Sequence, residues 1–369
     1  MIMIFSNIEK LRGFACILIL IQHVVNICPI SLFPDMVPLY LQNGSGAVHL
    51  FFAISGFVVT LSIKNLLPND LSFLERLKSV QGSLAEFYKR RLYRICPVML
   101  FVIASAGVFY SCVESDFSWF PALLRAPFEI ILGVYNYSVE SFQQVEKIHV
   151  GGIGPFWTLA VEFQFYLLWP FMLLICKNNN IRAMLSFILG IFFLFVVQHS
   201  SLEFFGYKYY ATYTNVAEIF LGAFFAFIYN ERFVSKTQNK LLNSLMILSL
   251  FAIWIMPEIS NRNIFPPHCV ITLASFFAVV FAVLINDNSR ISWFGKFMVF
   301  LGKRSYSFYA VQLLLANIVV WFTNSVYFID KSSENFEIAE FSLFMISLCI
   351  VTEFVYNCIE KPLRKFGKS

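Results

Sequence analysis

Charge is scarce in this chain. Of its 369 residues only 13% are Asp, Glu, Lys or Arg, and 59% are hydrophobic, where soluble domains average roughly 25% and 45–50%. That scarcity excludes a water-soluble globular fold. Short apolar–polar alternation is also lacking, which excludes a closed membrane β-barrel. The eight cysteines, Cys16, Cys28, Cys96, Cys112, Cys176, Cys269, Cys349 and Cys358, include no Cys-x-x-Cys pair, so neither a metal nor a redox signature is present and a structural or incidental role is expected. No small-residue cleavage site follows the first apolar run, which is too long and too polar at its centre for a cleavable signal. No linker or tail is long enough for a second domain, and no internal repeat is visible, so residues 1–369 read as one integral membrane domain without a fused extracytoplasmic part.

What is present is a series of apolar blocks, each near the roughly 20 residues that cross about 30 Å of hydrocarbon as a helix. They predict an all-α polytopic bundle of about ten helices, at 8–31, 45–66, 95–113, 155–176, 183–199, 213–229, 241–256, 265–285, 304–323 and 341–359. If both termini are cytoplasmic, 22 of the 27 basic residues fall inside, leaving Arg125, Lys147, Lys208, Arg262 and Lys331 outside. The positive-inside rule predicts this asymmetry, and one missed or extra helix would scramble it. The net charge of +5 follows from those inner residues. It implies no nucleic-acid partner and suits anionic lipid headgroups or an anionic cytosolic ligand. Two connections are long. Residues 114–154, with "DFSWFPALLRAPFEIILGVYNY" including Asp116, Arg125 and Glu129, read as an interfacial or re-entrant cover. Residues 67–94 could lie along the membrane surface before turning into the helix at 95–113.

Ionisable residues inside the apolar blocks are the candidates for chemistry. In "KLRGFACILILIQHVVNI", Arg12 and His23 are eleven residues apart. Eleven helical steps return to within roughly 20° of the starting direction and rise about 16 Å, so the two share a face, with Arg12 at the cytoplasmic mouth and His23 about halfway across. In "GGIGPFWTLAVEFQFYLLWP", Glu162 lies seven residues into a helix that starts at Pro155, about 10 Å below the outer surface and close to the depth of His23. A carboxylate there could fix the imidazole tautomer while the other ring nitrogen takes a proton from an alcohol. In "EFYKRRLYRICP", Arg90 and Arg94 share a face with Arg91 beside them, a set of guanidinium forks suited to phosphate. Each has a plainer alternative: a packing histidine, a snorkelling arginine, a helix-holding carboxylate, a positive-inside anchor. Taken together, phosphates held near the arginines would leave a pantetheine-length arm of roughly 15–20 Å to reach His23. The 45 phenylalanines are core or lipid-facing filler.

These strings resemble the membrane-bound acyltransferase family 3, which modifies exported saccharides. "LRGFACILILIQH" resembles its Arg-x10-His signature, "LFFAISGFVVT" its Phe-Phe-x-x-Ser-Gly-Phe segment and "RRLYRICP" its Arg-rich turn. "FWTLAVEFQFYLLWP" resembles its Trp-Ser/Thr-Leu-x-x-Glu-x-x-Phe-Tyr segment, and "LGKRSYSFYAVQ" with "IEKPLRK" its late helices. The six strings run nearly end to end in the family's order. The resemblance implies a ten-helix core in a bacterial cytoplasmic (inner) membrane, acetyl-CoA or a related acyl-CoA as co-substrate with no permanent cofactor, a saccharide hydroxyl as acceptor, and membrane lipid as partner. It makes His23 the catalytic residue with Glu162 at the acidic position, and assigns donor binding to Arg12, Arg90, Arg91 and Arg94. It places Ser55, Trp157, Tyr166, Tyr306, Tyr309 and Gln312 at pocket-lining positions; Ser55 and Gly56 fall on a small-residue turn that permits close backbone approach.

Two positions depart from the family pattern. Many members carry a second carboxylate where this chain has Phe163, and a histidine where it has Gln312. Glutamine keeps a donor and an acceptor but cannot titrate, so a proton relay through that position is in question, and His49 is a partial substitute. His149, His199 and His268 are expected near the outer face. The reading is an O-acyltransferase, with a saccharide-intermediate transporter or flippase, or an inactive relative acting as a membrane scaffold, as alternatives. Paired interrupted helices in two related halves, the mark of many transporters, are not found.

Overall fold

A computed structural model describes residues 2–27, 44–69, 71–115, 117–144, 151–198, 210–230, 240–259, 267–285, 292–326 and 334–367. His149, His199, Cys28, Asp116, Lys147, Lys208, Arg262 and Lys331 lie outside the described residues, as does the side chain of His268. The elements are α1 (Ile2–Ile27), α2 (Ser45–Lys64), α3 (Phe73–Val113), α4 (Phe120–Ile131), α5 (Tyr135–Gln144), a 3-10 turn (Gly151–Phe156), α6 (Trp157–Ile175) and α7 (Asn179–Gln198). After a single helical turn at Thr212–Asn215 come α8 (Ala217–Ile228), α9 (Lys240–Ile259), α10 (Pro267–Leu284), α11 (Trp293–Lys303), α12 (Ser305–Val326), α13 (Glu334–Val355), a π turn (Tyr356–Glu360) and α14 (Lys361–Phe366). No strand occurs among the described residues.

Each of the ten expected apolar helices has a counterpart. Five helices are long and apolar enough to cross a membrane by length and composition, at 46–64, 73–113, 152–175, 305–325 and 336–366, and shorter apolar helices lie at 179–195, 217–228, 240–255 and 269–284. Bulky apolar side chains stand exposed on them, among them Leu168, Ile175, Phe195 and Ile350, as expected where the surrounding solvent is lipid and not water. The protein is an all-α, polytopic, integral membrane protein.

One expectation is corrected. Residues 73–94 do not lie apart and then turn; they are the first half of α3, one continuous helix of 41 residues. Its buried positions Arg76, Val80, Leu84 and Phe87 recur every three to four residues, so one stripe is fixed by packing and no chain reversal is needed. Ser55 and Gly56 lie inside α2, within the helix expected at 45–66. The close approach itself is found: a Cβ on Gly56 would overlap the carbonyl of Ile219 on α8. The connection over 114–144 forms α4 and α5, of 12 and 10 residues. At 1.5 Å per residue neither is long enough to cross the hydrocarbon.

The chain divides into two compact units. Unit 1 comprises 1–18, 43–87 and 164–303; unit 2 comprises 19–42, 88–163 and 304–369. In unit 1, α2 packs on α8 through Gly56 and through the Phe57–Phe225 ring pair, centroids 5.3 Å apart. Trp169 is fully buried, and its indole N–H donates to Thr60 Oγ1 at 2.9 Å.

Helix C-termini in unit 1 are closed by long polar side chains from elsewhere in the unit. The Lys64 ammonium donates to the carbonyls of Ala226, Phe227 and Tyr229 at the end of α8, at 3.0, 2.8 and 3.4 Å. Asn7 donates to Ala282 and Ile285 at the end of α10, at 2.9 and 3.1 Å. Arg76 donates to the carbonyl of Cys176 beyond α6. Arg182, with no exposed surface, donates to the carbonyls of Leu173, Pro68 and Cys176 at 3.1, 2.9 and 3.1 Å and to the side chains of Asn69 and Asn179 at 3.1 and 2.9 Å. The last four carbonyls of a helix lack internal donors, and cations are favoured there by the helix dipole.

Arg182→Met should therefore cost about 3 kcal/mol or more, since several charge-assisted bonds are lost together. Thermal unfolding of the detergent-solubilised protein checks this: the midpoint should fall clearly, and Arg182→Lys should recover only part of it. An unchanged midpoint would refute the capping role.

Candidate active site

The scaffold of unit 2 begins with the 3-10 turn that leads into α6. The backbone N–H of Gly152 donates to Tyr110 Oη at 3.0 Å, and the Tyr135 hydroxyl donates to the Ile153 carbonyl at 3.3 Å. Gly152 is pressed against α12: a Cβ there would stand 2.8 Å from Leu314 Cδ1 and 3.2 Å from its Cα. The Tyr309 hydroxyl donates to the Pro155 carbonyl at 2.8 Å and lies 3.1 Å from Thr158 Oγ1, which bonds the same carbonyl at 3.1 Å. Tyr309 thus braces the start of α6, where Trp157 is 7% exposed. This brace fixes the rotation of α6 and so the direction of Glu162, five residues after Trp157.

Glu162 is half-buried, and its charge acts on Tyr306. Glu360, Cys96 and Arg94 act on the same phenol, whose hydroxyl donates to the Ile95 carbonyl at 2.7 Å. Glu360, 2% exposed, accepts from Ser307 Oγ at 2.6 Å and lies in the fields of Arg94 and Arg364. A second ion pair steadies the base of α12: Arg304 Nε and Nη2 reach the two carboxylate oxygens of Glu353 at 2.5 and 2.9 Å, with the guanidinium 4.6 Å from the centre of the Tyr356 ring. Glu162, Glu360 and the partly buried Arg94 thus form a polar layer within electrostatic range of Tyr306. Arg91 is partly buried and Arg90 is exposed on the same helix.

His23 occupies a different level of unit 2. It lies on α1, half-buried, and its Nδ1 is buried without a hydrogen-bond partner. The side chain that acts on its ring is Gln312, not Glu162. Gln312 is fully buried on α12, and neither its amide nitrogen nor its amide oxygen has a hydrogen-bond partner. Gln312 follows Tyr306 by six residues on the same helix, about 9 Å along the axis. The structure therefore brings together His23 with Gln312, and Glu162 with Tyr306, Arg94 and Glu360, as two neighbouring layers on α12.

The other expected residues belong to unit 1. Arg12 pairs with Glu9 one turn earlier on α1, Nη1 to Oε1 at 2.9 Å. Ser55 Oγ lies 3.4 Å from the Tyr166 hydroxyl, both buried. His49 is taken up by a partner not foreseen: its Nδ1 is 2.7 Å from Glu218 Oε1 on α8, and Thr272 of α10 donates to the same oxygen. Glu218, Glu360 and Ser307 escaped the sequence reading. Glu218 carried a usable signal, a lone carboxylate inside the apolar run "VAEIFLGAFFAF", since a charge at such depth requires a partner.

A polytopic helical membrane protein with a mid-helix imidazole and a guanidinium-bearing polar layer is the class that these features define. The acyltransferase domain family Acyl_transf_3 matches residues 5–355, and the chain belongs to that family. It is similar to the O-acetyltransferase OatA of Staphylococcus aureus strain NCTC 8325 / PS 47, with 29% identity over 384 residues, covering 98% of this chain and 57% of that protein. The OatA proteins of strains COL and MRSA252 show the same 29% identity, 98% and 57% coverage. The chain thus spans little more than half the length of these relatives. No solved structure matches it.

Tyr309→Phe should lower stability by about 1 kcal/mol, the loss of one buried neutral hydrogen bond, read as a small fall in the unfolding midpoint. A midpoint equal to that of the parent protein would show that the brace is supplied by packing alone.

Proposed function

We propose that this protein transfers an acyl group, acetyl first among the candidates, from cytoplasmic acetyl-CoA or a related acyl-CoA to a hydroxyl of an exported or lipid-linked saccharide, at the bacterial cytoplasmic membrane. The observation that carries the reading is His23: a ring nitrogen buried in an apolar helix and not committed to a hydrogen bond, in a chain of this family. The names of the relatives, O-acetyltransferases, favour acetyl as the group and oxygen as its acceptor.

In this reading His23 takes the proton of the acceptor hydroxyl as general base, or carries the acyl group transiently. The hydroxyl oxygen bonds the acyl carbon, the carbon–sulfur bond breaks, and the electron pair leaves on sulfur. The proton then passes to the thiolate, so that free CoA and a saccharide ester are the products. Arg94, held beside Glu360 and Tyr306, together with Arg90 and Arg91, supplies guanidinium groups for the donor's phosphates. Arg12 lies eleven residues before His23 on α1, and its bond to Glu9 aligns it. Glu162 holds the charge of the layer next to the imidazole and acts through Tyr306.

Membrane vesicles supplied with acetyl-CoA labelled in the acetyl group test this. His23→Ala should abolish label in the glycan and acceptor-dependent release of CoA; undiminished transfer ends the proposal. Arg94→Ala should raise the apparent KM for the donor by about tenfold or more, the worth of a lost charge-assisted phosphate contact. A fall in kcat at unchanged donor KM would contradict that role.

A further inference from the structure

Buried polar atoms are nearly always hydrogen-bonded, and more stringently so inside lipid, where water offers no substitute. Among the described residues the exceptions occur in both units, and Gln312 is the one side chain among them that leaves both of its ends unbonded. His23 Nδ1, Gln312 Nε2 and Gln312 Oε1 are all buried with no well-aligned hydrogen bond, and they belong to two neighbouring side chains whose polar contact falls short of that alignment. An amide with no exposed surface and neither end bonded costs several kcal/mol if left so. The neighbouring polar side chains of α12 show the contrast, because Tyr306, Ser307 and Tyr309 each donate a hydrogen bond to a protein acceptor. Packing alone would be served better by Leu or Met at position 312.

From this we infer that Gln312 is a catalytic residue whose amide N–H binds the carbonyl oxygen of the acyl group and stabilises the negative charge that develops on it, while His23 Nδ1 handles the proton. The inference rests on the acyl-transfer reading and assigns the oxyanion-binding group within it. Attack by the acceptor oxygen turns the planar carbonyl carbon tetrahedral and moves the π electron pair onto its oxygen. A fixed amide donor in a water-excluded site stabilises that charge more than it does the neutral carbonyl. The amide oxygen of Gln312 remains available to accept from the imidazolium that forms when His23 gains the hydroxyl proton. Because glutamine does not titrate, proton transfer in this chain passes through one imidazole, not two. Collapse of the tetrahedral intermediate returns the pair, expels the thiolate, and passes the proton from His23 to sulfur.

The test uses the full chain in membrane vesicles or detergent, with acetyl-CoA and acceptor glycan, following free CoA and labelled ester. Gln312→Leu should lower kcat by about 100- to 1,000-fold, the usual effect of removing one oxyanion donor, with donor KM little changed. Gln312→His keeps an N–H donor, so it should retain turnover while the pH dependence of kcat, governed by one imidazole in the parent, gains a second ionisation. Should Gln312→Leu fail to fold, as judged by size-exclusion profile, the Gln312→His profile decides. A Gln312→Leu protein with parental kcat, a loss confined to donor KM, or a Gln312→His pH profile identical to the parent would each overturn the assignment while leaving acyl transfer standing. A parent protein that never releases CoA would overturn both.

Discussion

Every polar group that this chain takes into the hydrocarbon must be satisfied by the chain itself, and the most numerous such groups are the carbonyls at helix C-termini. Lys64, Asn7, Arg76 and Arg182 meet that need for α8, α10 and α6. Arg182 is the strictest case, a guanidinium without exposed surface whose bonds run to two helix ends and two asparagines. These side chains hold the helices at fixed lengths and rotations. Lysine and arginine suit the task because the helix dipole favours cations at a C-terminus.

Among such pairings, a side chain with none of its polar atoms bonded stands out. In unit 1 each intramembrane charge has at least one partner: His49 meets Glu218, Glu218 meets Thr272, and Arg12 meets Glu9. In unit 2 the layer around Tyr306 is likewise filled, with Ser307 on Glu360 and the tyrosine on a backbone carbonyl. Gln312 differs in leaving both ends of its amide unbonded, and the neighbouring His23 leaves Nδ1 unbonded. Stability alone would remove such groups; chemistry retains them, since a reacting atom needs a donor and a base not already committed elsewhere.

The reactive pair also sits on regular helices, not on loops. His23 rides on α1 and Gln312 on α12, and α12 is pinned through Arg304 to Glu353 at one end and through Tyr309 and Leu314 to the 3-10 turn along its length. Helical seats restrict a side chain to a few rotamers and hold it to a fraction of an ångström. The same brace sets α6 and with it Glu162.

Span length is a local property, matched to bilayer thickness, so the ten apolar helices, their all-α class and the distribution of basic residues could be read directly from the chain. The shared helical face of Arg12 and His23, and the importance of Glu162, were legible for the same reason: helix periodicity is fixed by the backbone. Pairing was not. A carboxylate at the right depth suggested Glu162 as the neighbour of His23, yet depth says nothing of rotation about the helix axis, and the rotation of α12 presents Gln312 instead. Glu218 opposite His49, and Glu360 under Ser307, join residues 169 and 53 positions apart. An apolar run packs almost equally well at many rotations; only the assembled tertiary contacts, with glycines such as Gly56 and Gly152 admitting a neighbour's backbone or side chain, select one.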